Sequence, residues 1–218
     1  MSKKQKGIRF LLAIFIYILY SLILSVCYSH FNLKLYFICD FLFLVFIMFM
    51  YKRNLMKDWR LVFKNFKSNC KKVIKYVFFL IMFTVLISFV GRFLYPNITM
   101  NLNNINLGLI YKESPVYFIF KVLVFGIIAE ELMFREGVGD VISNKYVYIV
   151  LSSLLQTIFI FIFTGFTEKF LVFYVIRVFL QSLIFSYIYI KNKSNIVFLF
   201  FVKFLYNILP VIAFLNLI

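Results

Sequence analysis

Apolar residues along this chain fall into blocks of about twenty, separated by short polar or basic stretches. The blocks run from Ile8 to about Tyr28, Leu35 to Tyr51, Tyr76 to Tyr95, from Val116, Tyr146 to Thr164, Phe170 to Ile190, and from Ile196 to the C-terminus. At about 1.5 Å of rise per helical residue, each is long enough to cross a hydrocarbon layer roughly 30 Å thick. The fourth block extends to about Ile142 only if Gly137 and Gly139 do not end the helix. The pattern predicts an all-α, polytopic transmembrane helix bundle of about seven spans, a single integral membrane domain over residues 1–218. The first block is too long for a signal peptide, and no small-x-small cleavage site follows it. Leu24-Ser25-Val26-Cys27 lacks the small residue that a lipoprotein box places before its cysteine, so we read a retained first span.

One interval departs from simple alternation. Between the second and third blocks, Leu55, Trp59, Phe63 and Phe66 recur at helical spacing with Lys and Arg between them. This predicts an amphipathic helix on the cytoplasmic membrane surface, anchored by Trp59. The interval 96–115 is polar and Asn-rich; its Asn97-Ile98-Thr99 sequon has meaning only on a eukaryotic secretory route.

Composition agrees with the blocks: 64% of the 218 residues are hydrophobic and 15% charged, more apolar surface than a soluble chain of this length can bury. A net charge of +16 suggests nucleic acid until the charges are located. Lys3, Lys4, Lys6, Arg9, nine basic residues within Lys52–Lys75, Lys145, Lys191 and Lys193 fall on one side of the spans, sixteen in all. Lys34, Lys112 and Lys169 fall on the other, three in all. That imbalance sets a cytoplasmic N-terminus and an extracytoplasmic C-terminus in the cell membrane, and makes the lipid bilayer the expected partner in place of nucleic acid. Cys27, Cys39 and Cys70 have no ligand spacing, and His30 is the single histidine. A zinc site needs three or four donors, so no metal or other cofactor is expected.

The expensive residues lie in the fourth block. Ala129-Glu130-Glu131-Leu132-Met133-Phe134-Arg135 places three charges in an apolar run, each costing roughly 3 kcal/mol at the centre of a membrane helix. Glu131 and Arg135, four apart, share a face and can pair; Glu130 points about 100° away, toward whatever the bundle holds. Depth along neighbouring blocks can be compared by counting from the cytoplasmic turns. Glu130 lies 14 residues before Asn144, and Gln156 and Ile160 lie 12 and 16 after it. Lys203 and Asn207 lie 10 and 14 residues after Lys193. All fall within about one and a half helical turns of one level, so Glu130, Glu131, Gln156, Lys203 and Asn207 are expected to meet near mid-membrane. Asp40, Lys121 and Arg177 are further intramembrane charges. Most lie near outer ends of spans, where they can snorkel, and Arg177 needs Asp40 or a glutamate as partner.

Glu130-Glu131-x-x-x-Arg135 resembles the first motif of the CAAX protease and bacteriocin-processing (CPBP, or Abi) family. Ser152-Ser153-Leu154-Leu155 resembles the lead-in to its second motif. Asn192-Lys193-Ser194-Asn195-Ile196 with Lys203-Phe204-Leu205-Tyr206-Asn207 resembles its third. The resemblance covers roughly residues 116–210. It implies intramembrane peptide cleavage in which Glu130 activates a water, Glu131 and Arg135 support it, and Asn207 is the oxyanion-side polar group. The family's histidines, which hold or polarise the site and where a divalent metal would be used, fall here on Ile160 and Lys203. Gln156 replaces the phenylalanine before the first of them, and Glu136 the glycine after the arginine. Isoleucine neither binds metal nor transfers a proton. A Lys–Glu pair also neutralises buried charge. Three functions remain open: a catalytically degenerate protein acting by partner binding, as in bacteriocin self-immunity or regulation of an envelope protein; a glutamate-dependent endopeptidase acting on a small peptide or CAAX-like tail; and a carrier whose path Asp40, Lys121 and Arg177 would line.

Overall fold

The computed structural model describes residues 2–28, 33–94, 110–164 and 171–215, and among them there is no β-strand. Helices α1 (Lys3–Tyr28) and α2 (Leu33–Met50) follow the first two apolar blocks. Next comes α3 (Lys52–Lys64), the amphipathic segment. It ends at Asn65, where φ −121° and ψ 38° leave the helical range, and α4 (Phe66–Leu94) starts at once. Phe66 therefore belongs to the third apolar helix, which begins ten residues before its apolar block. No glycine or proline lies between Lys52 and Val90, so nothing in the basic interval stops helix growth.

Residues 115–141 form one unbroken rod, α5. It is α-helical at Pro115–Ile119, π-wound at Phe120–Phe125, α-helical at Gly126–Glu131, π-wound again at Leu132–Gly137 and α-helical at Val138–Val141. Its start follows from chemistry: Ser114 Oγ accepts from the Tyr117 backbone N–H, and Pro115 occupies the first turn, where no N–H is required. It ends at Ile142, whose backbone is extended. Gly137 and Gly139 do not break it. At Gly137 a β-carbon would lie 2.6 Å from a ring carbon of Phe10 and 2.9 Å from the Tyr51 hydroxyl. Glycine there lets α1 pack directly on α5, which offsets the roughly 1 kcal/mol that glycine costs inside a helix. Arg9 of α1 completes this junction. It pairs with the buried Asp140 and lies 4.3 Å over the Tyr51 ring.

The chain continues through α6 (Lys145–Thr164), α7 (Leu171–Lys191) and α8 (Ile196–Leu215). The turn between α7 and α8 holds Lys193 and Ser194 at φ 60° and 54°, a left-handed conformation that costs a non-glycine residue roughly 1–2 kcal/mol. Bonds that hold it include the Lys193 N–H to Ile190 O at 3.2 Å, the Ser194 N–H to Tyr189 O at 3.0 Å, and the Phe198 N–H to Asn195 Oδ1 at 2.8 Å.

Four of these helices are long and apolar enough to cross a bilayer, over Lys4–Ile23, Leu33–Met50, Phe66–Leu94 and Val172–Lys191. Lys145–Phe161 and Ile196–Leu209 are shorter apolar helices within the described residues. This is a helical membrane protein. The rod α5 packs against α1, α2, α6 and α8, while α6 and α7 lie side by side. Ala129, Leu132, Met133, Phe134 and Val138 put the core on α5 itself, whereas Phe78, Phe89 and Phe93 of α4 point outward.

Candidate functional site

Glu130 and Glu131 leave α5 immediately before its second π-wound stretch, which contains Arg135. A π-turn shifts the backbone ladder by one residue, and such turns recur at functional sites. Two carbonyls of this stretch accept from α6 as well: Ser152 Oγ donates to Phe134 O at 2.5 Å and the Tyr148 hydroxyl to Arg135 O at 3.2 Å.

Arg135 is fully buried and spreads its guanidinium across two neighbouring helices. Nη1 donates to Ser152 Oγ at 2.8 Å, and Nη2 donates to Ser182 Oγ at 2.9 Å and to Gln156 Oε1. Its Nε lies 3.2 Å from Glu131 Oε2, an ion contact whose angle falls outside hydrogen bonding. The fork fixes Gln156 in turn. Its carbonyl also accepts from Ser182 Oγ at 2.7 Å, so its amide nitrogen is the end that reaches Glu130 Oε2, at 3.1 Å.

The fourth charge comes from α8. Lys203 Nζ donates to Glu131 Oε1 at 2.7 Å and to Glu130 Oε2 at 3.0 Å, and lies 5.7 Å over the Phe185 ring. Two carboxylates, one guanidinium and one ammonium make a cluster of zero net charge. That is how a rod this apolar accommodates the motif: an uncompensated buried ion costs several kcal/mol, while a paired and hydrogen-bonded one approaches balance. The glutamates are not equivalent. The Glu131 side chain is 0% exposed and the Glu130 side chain 30%. Glu130 Oε1 accepts no hydrogen bond among the described residues and lies near Gly126, 3.7 Å from where a β-carbon would be.

Of the residues expected at one level, the structure brings together Glu130, Glu131, Gln156 and Lys203, and Arg135 joins them through Glu131 and Gln156. Ile160 is half-buried one turn beyond Gln156 on α6. Asn207 is half-buried one turn beyond Lys203 and makes no hydrogen bond among the described residues. It is Tyr206 beside it that reaches across, its hydroxyl 2.7 Å from Thr84 Oγ1 on α4. Glu136 is buried and accepts from the Tyr189 hydroxyl at 2.6 Å and from Asn54 of α3. Reading motifs in order did not assign Ser182, yet it is one of the ligands of Arg135. Its signal was available: Ser182 and Ser186 on α7, and Ser152 and Gln156 on α6, are four apart, marking small polar faces that can meet.

The outer charges behave differently from the expectation that they snorkel. Asp40 is 0% exposed, and Lys121 turns inward to pair with it at 2.7 Å. The Tyr117 hydroxyl, at 2.9 Å, and the Tyr20 hydroxyl complete the carboxylate's shell. With Asp40, Glu130 and Glu131 all taken by other cations, Arg177 makes no ion pair among the described residues. His30 and the sequon at Asn97 lie outside the described residues, as does the side chain of Cys27.

A catalytic metal of the kind this motif implies can be tested against the side chains around Glu130. They are Glu131, Gln156 and the ammonium of Lys203, and no group of three histidine, cysteine or carboxylate donors occurs among the described residues. A protonated amine carries no lone pair and repels a divalent cation from the position between the carboxylates. These residues do not fit a metal.

Residues 112–209 match the family described as type II CAAX prenyl endopeptidase Rce1-like. The matched segment, less than half of the chain, contains the three motifs that carry the resemblance to the CAAX protease and bacteriocin-processing family. No curated protein and no solved structure matches the chain.

Proposed function

We propose, from the premise that residues 112–209 are an Rce1-like core, that this protein is a catalytically silent member of its family and acts by binding a peptide or membrane-protein partner. Self-immunity against a bacteriocin, or regulation of an envelope protein, is a role suited to such a scaffold. One observation carries this reading: the Lys203 ammonium stands 3.0 Å from Glu130 and 2.7 Å from Glu131. A glutamate that activates water needs a lone pair free to take its proton. Glu130 Oε2 spends its lone pairs on Lys203 and Gln156, which leaves Oε1 as the one oxygen of this carboxylate open to a water among the described residues. Among the described residues no imidazole stands nearby to relay the proton or polarise a carbonyl; Ile160 and Lys203 occupy the positions where the resemblance places histidines.

We further read seven spans, α1, α2, α4, α5, α6, α7 and α8, with the N-terminus cytoplasmic and the C-terminus extracytoplasmic. The sixteen-to-three distribution of basic residues supports this arrangement. Reporter fusions at each turn test it.

The competing reading is an endopeptidase using Glu130 and water. It draws on the partial exposure of Glu130 and on its unengaged Oε1. One comparison separates the two. Wild type and Glu130→Gln are reconstituted in lipid and offered prenylated CAAX peptides, and both are scored in cells for protection against bacteriocins. Silence of both toward peptide, with protection retained in Glu130→Gln, supports partner binding. Cleavage by wild type that Glu130→Gln abolishes overturns it.

A further inference from the structure

The amphipathic helix α3 is built into the bundle on one face and left open on the other. Asp58 and Val62 are buried. Asp58 Oδ2 accepts from the Ile196 N–H at 2.7 Å, at the first turn of α8, and its backbone carbonyl accepts from Asn195 Nδ2 at 3.2 Å. Asn54 donates to Glu136 of α5. These bonds clip α3 to both rods that carry the charge cluster, so its outer face is presented rigidly.

Every charge on that outer face is basic. Lys52, Arg53, Lys57, Arg60, Lys64, Lys67, Lys71, Lys72 and Lys75 are all exposed across α3 and the start of α4, and none forms an ion pair among the described residues. Asp58, the single acid in the interval 52–75, is the residue turned inward, so nothing on the outside neutralises them. Lys52, Arg53, Lys57 and Arg60 line an open depression with Met56 and Leu61. Apolar side chains border the cations: Trp59 is 53% exposed, Met56 52% and Phe63 45%.

We propose that this face is a docking surface for anionic phospholipid headgroups at the membrane on which the protein sits. Phosphates fill the basic depression while Trp59, Met56 and Phe63 enter the acyl boundary. The mixture of chemistries selects lipid. Aromatic rings beside cations would also stack bases, but the aliphatic Met56 and Leu61 that share the basic depression offer no stacking face and suit an interfacial helix, at the depth where headgroup meets chain. Each basic residue near an anionic surface contributes on the order of fivefold to attraction, so four lining one depression discriminate strongly between anionic and zwitterionic lipid. The inference does not depend on whether Glu130 is catalytic.

Trp59 is the single tryptophan beside 15 tyrosines, so emission excited beyond the tyrosine absorption band, in discs built from a tryptophan-free scaffold protein, reads this helix. The full chain is reconstituted in nanodiscs of phosphatidylcholine containing the same fraction of brominated phosphatidylglycerol or brominated phosphatidylcholine. We expect quenching by the brominated anionic lipid to be at least about twofold greater, and to fall toward the phosphatidylcholine level as salt is raised. Replacing Lys52, Arg53, Lys57 and Arg60 together by Gln removes the difference; the wild-type salt titration tests the same point if that variant does not fold. Equal quenching by the two lipids at low salt overturns the proposal. So does tight, salt-sensitive binding of labelled single-stranded RNA to wild type in phosphatidylcholine discs without any lipid preference.

Discussion

Replacing Lys203 by methionine keeps the length and most of the bulk of the side chain and deletes only its charge. The cluster then falls from zero to one net negative charge, with Arg135 the remaining cation. The loss is concentrated on Glu131, whose side chain is 0% exposed and which receives its one hydrogen bond from Lys203. Its Oε2 retains only the 3.2 Å ion contact with Arg135 Nε. Breaking a buried pair by removing one partner typically costs about 3–5 kcal/mol, because the surviving ion stays dehydrated. Glu130, partly exposed and still bonded to Gln156, can recover hydration and contributes the smaller share. Lys203→Met should therefore destabilise the protein by roughly 3–4 kcal/mol, measured by SDS titration of protein in mixed micelles against wild type. Adding Glu131→Gln restores neutrality, and the double variant should regain roughly 1–3 kcal/mol relative to the sum of the single changes. A loss below about 1 kcal/mol for Lys203→Met, or strict additivity in the cycle, would refute the view that charge compensation by Lys203 holds the motif in place.

Arg135→Lys keeps the charge but loses the fork that reaches Ser152, Ser182 and Gln156, so thermal unfolding should register a loss of roughly 2–4 kcal/mol despite the conserved sign. Gly137→Val puts a branched side chain where even a β-carbon meets Phe10 at 2.6 Å; unfolding should fall by about 1–3 kcal/mol, with Gly137→Ala milder. Burial pushes the Asp58 carboxyl above its usual range, only partly offset by the Ile196 N–H and by Lys57. A carboxyl raised on folding favours the folded state most below its ordinary range and loses that contribution as pH rises through the folded value. Melting from pH 4 to 8 should thus show wild type falling relative to Asp58→Asn as pH rises, and Asp58→Ala, which leaves Ile196 N–H unpaired, about 1 kcal/mol below Asp58→Asn.

Depth along each rod could be read from residue order. Helical rise is a constant, so counting from a turn gives the level of a side chain, and residue order alone puts Glu130, Gln156 and Lys203 within reach of one another. The apolar blocks were equally legible, since only their lengths matter for crossing a bilayer, and so was the pairing of Glu131 with Arg135, which is local to one helix. Which rods are neighbours, and which faces they turn to each other, is a property of packing among several helices at once. Hence Asp40 finding Lys121, Asn54 finding Glu136 and Asp58 capping α8 had no signature in residue order, and for Ser182 the spacing marks a polar face but not Arg135 as its partner. The π-winding around Arg135 belongs to the same class. It is a one-residue offset in the backbone ladder, stabilised by Ser152 and Tyr148 from the adjacent helix, and no side chain in the motif encodes it alone.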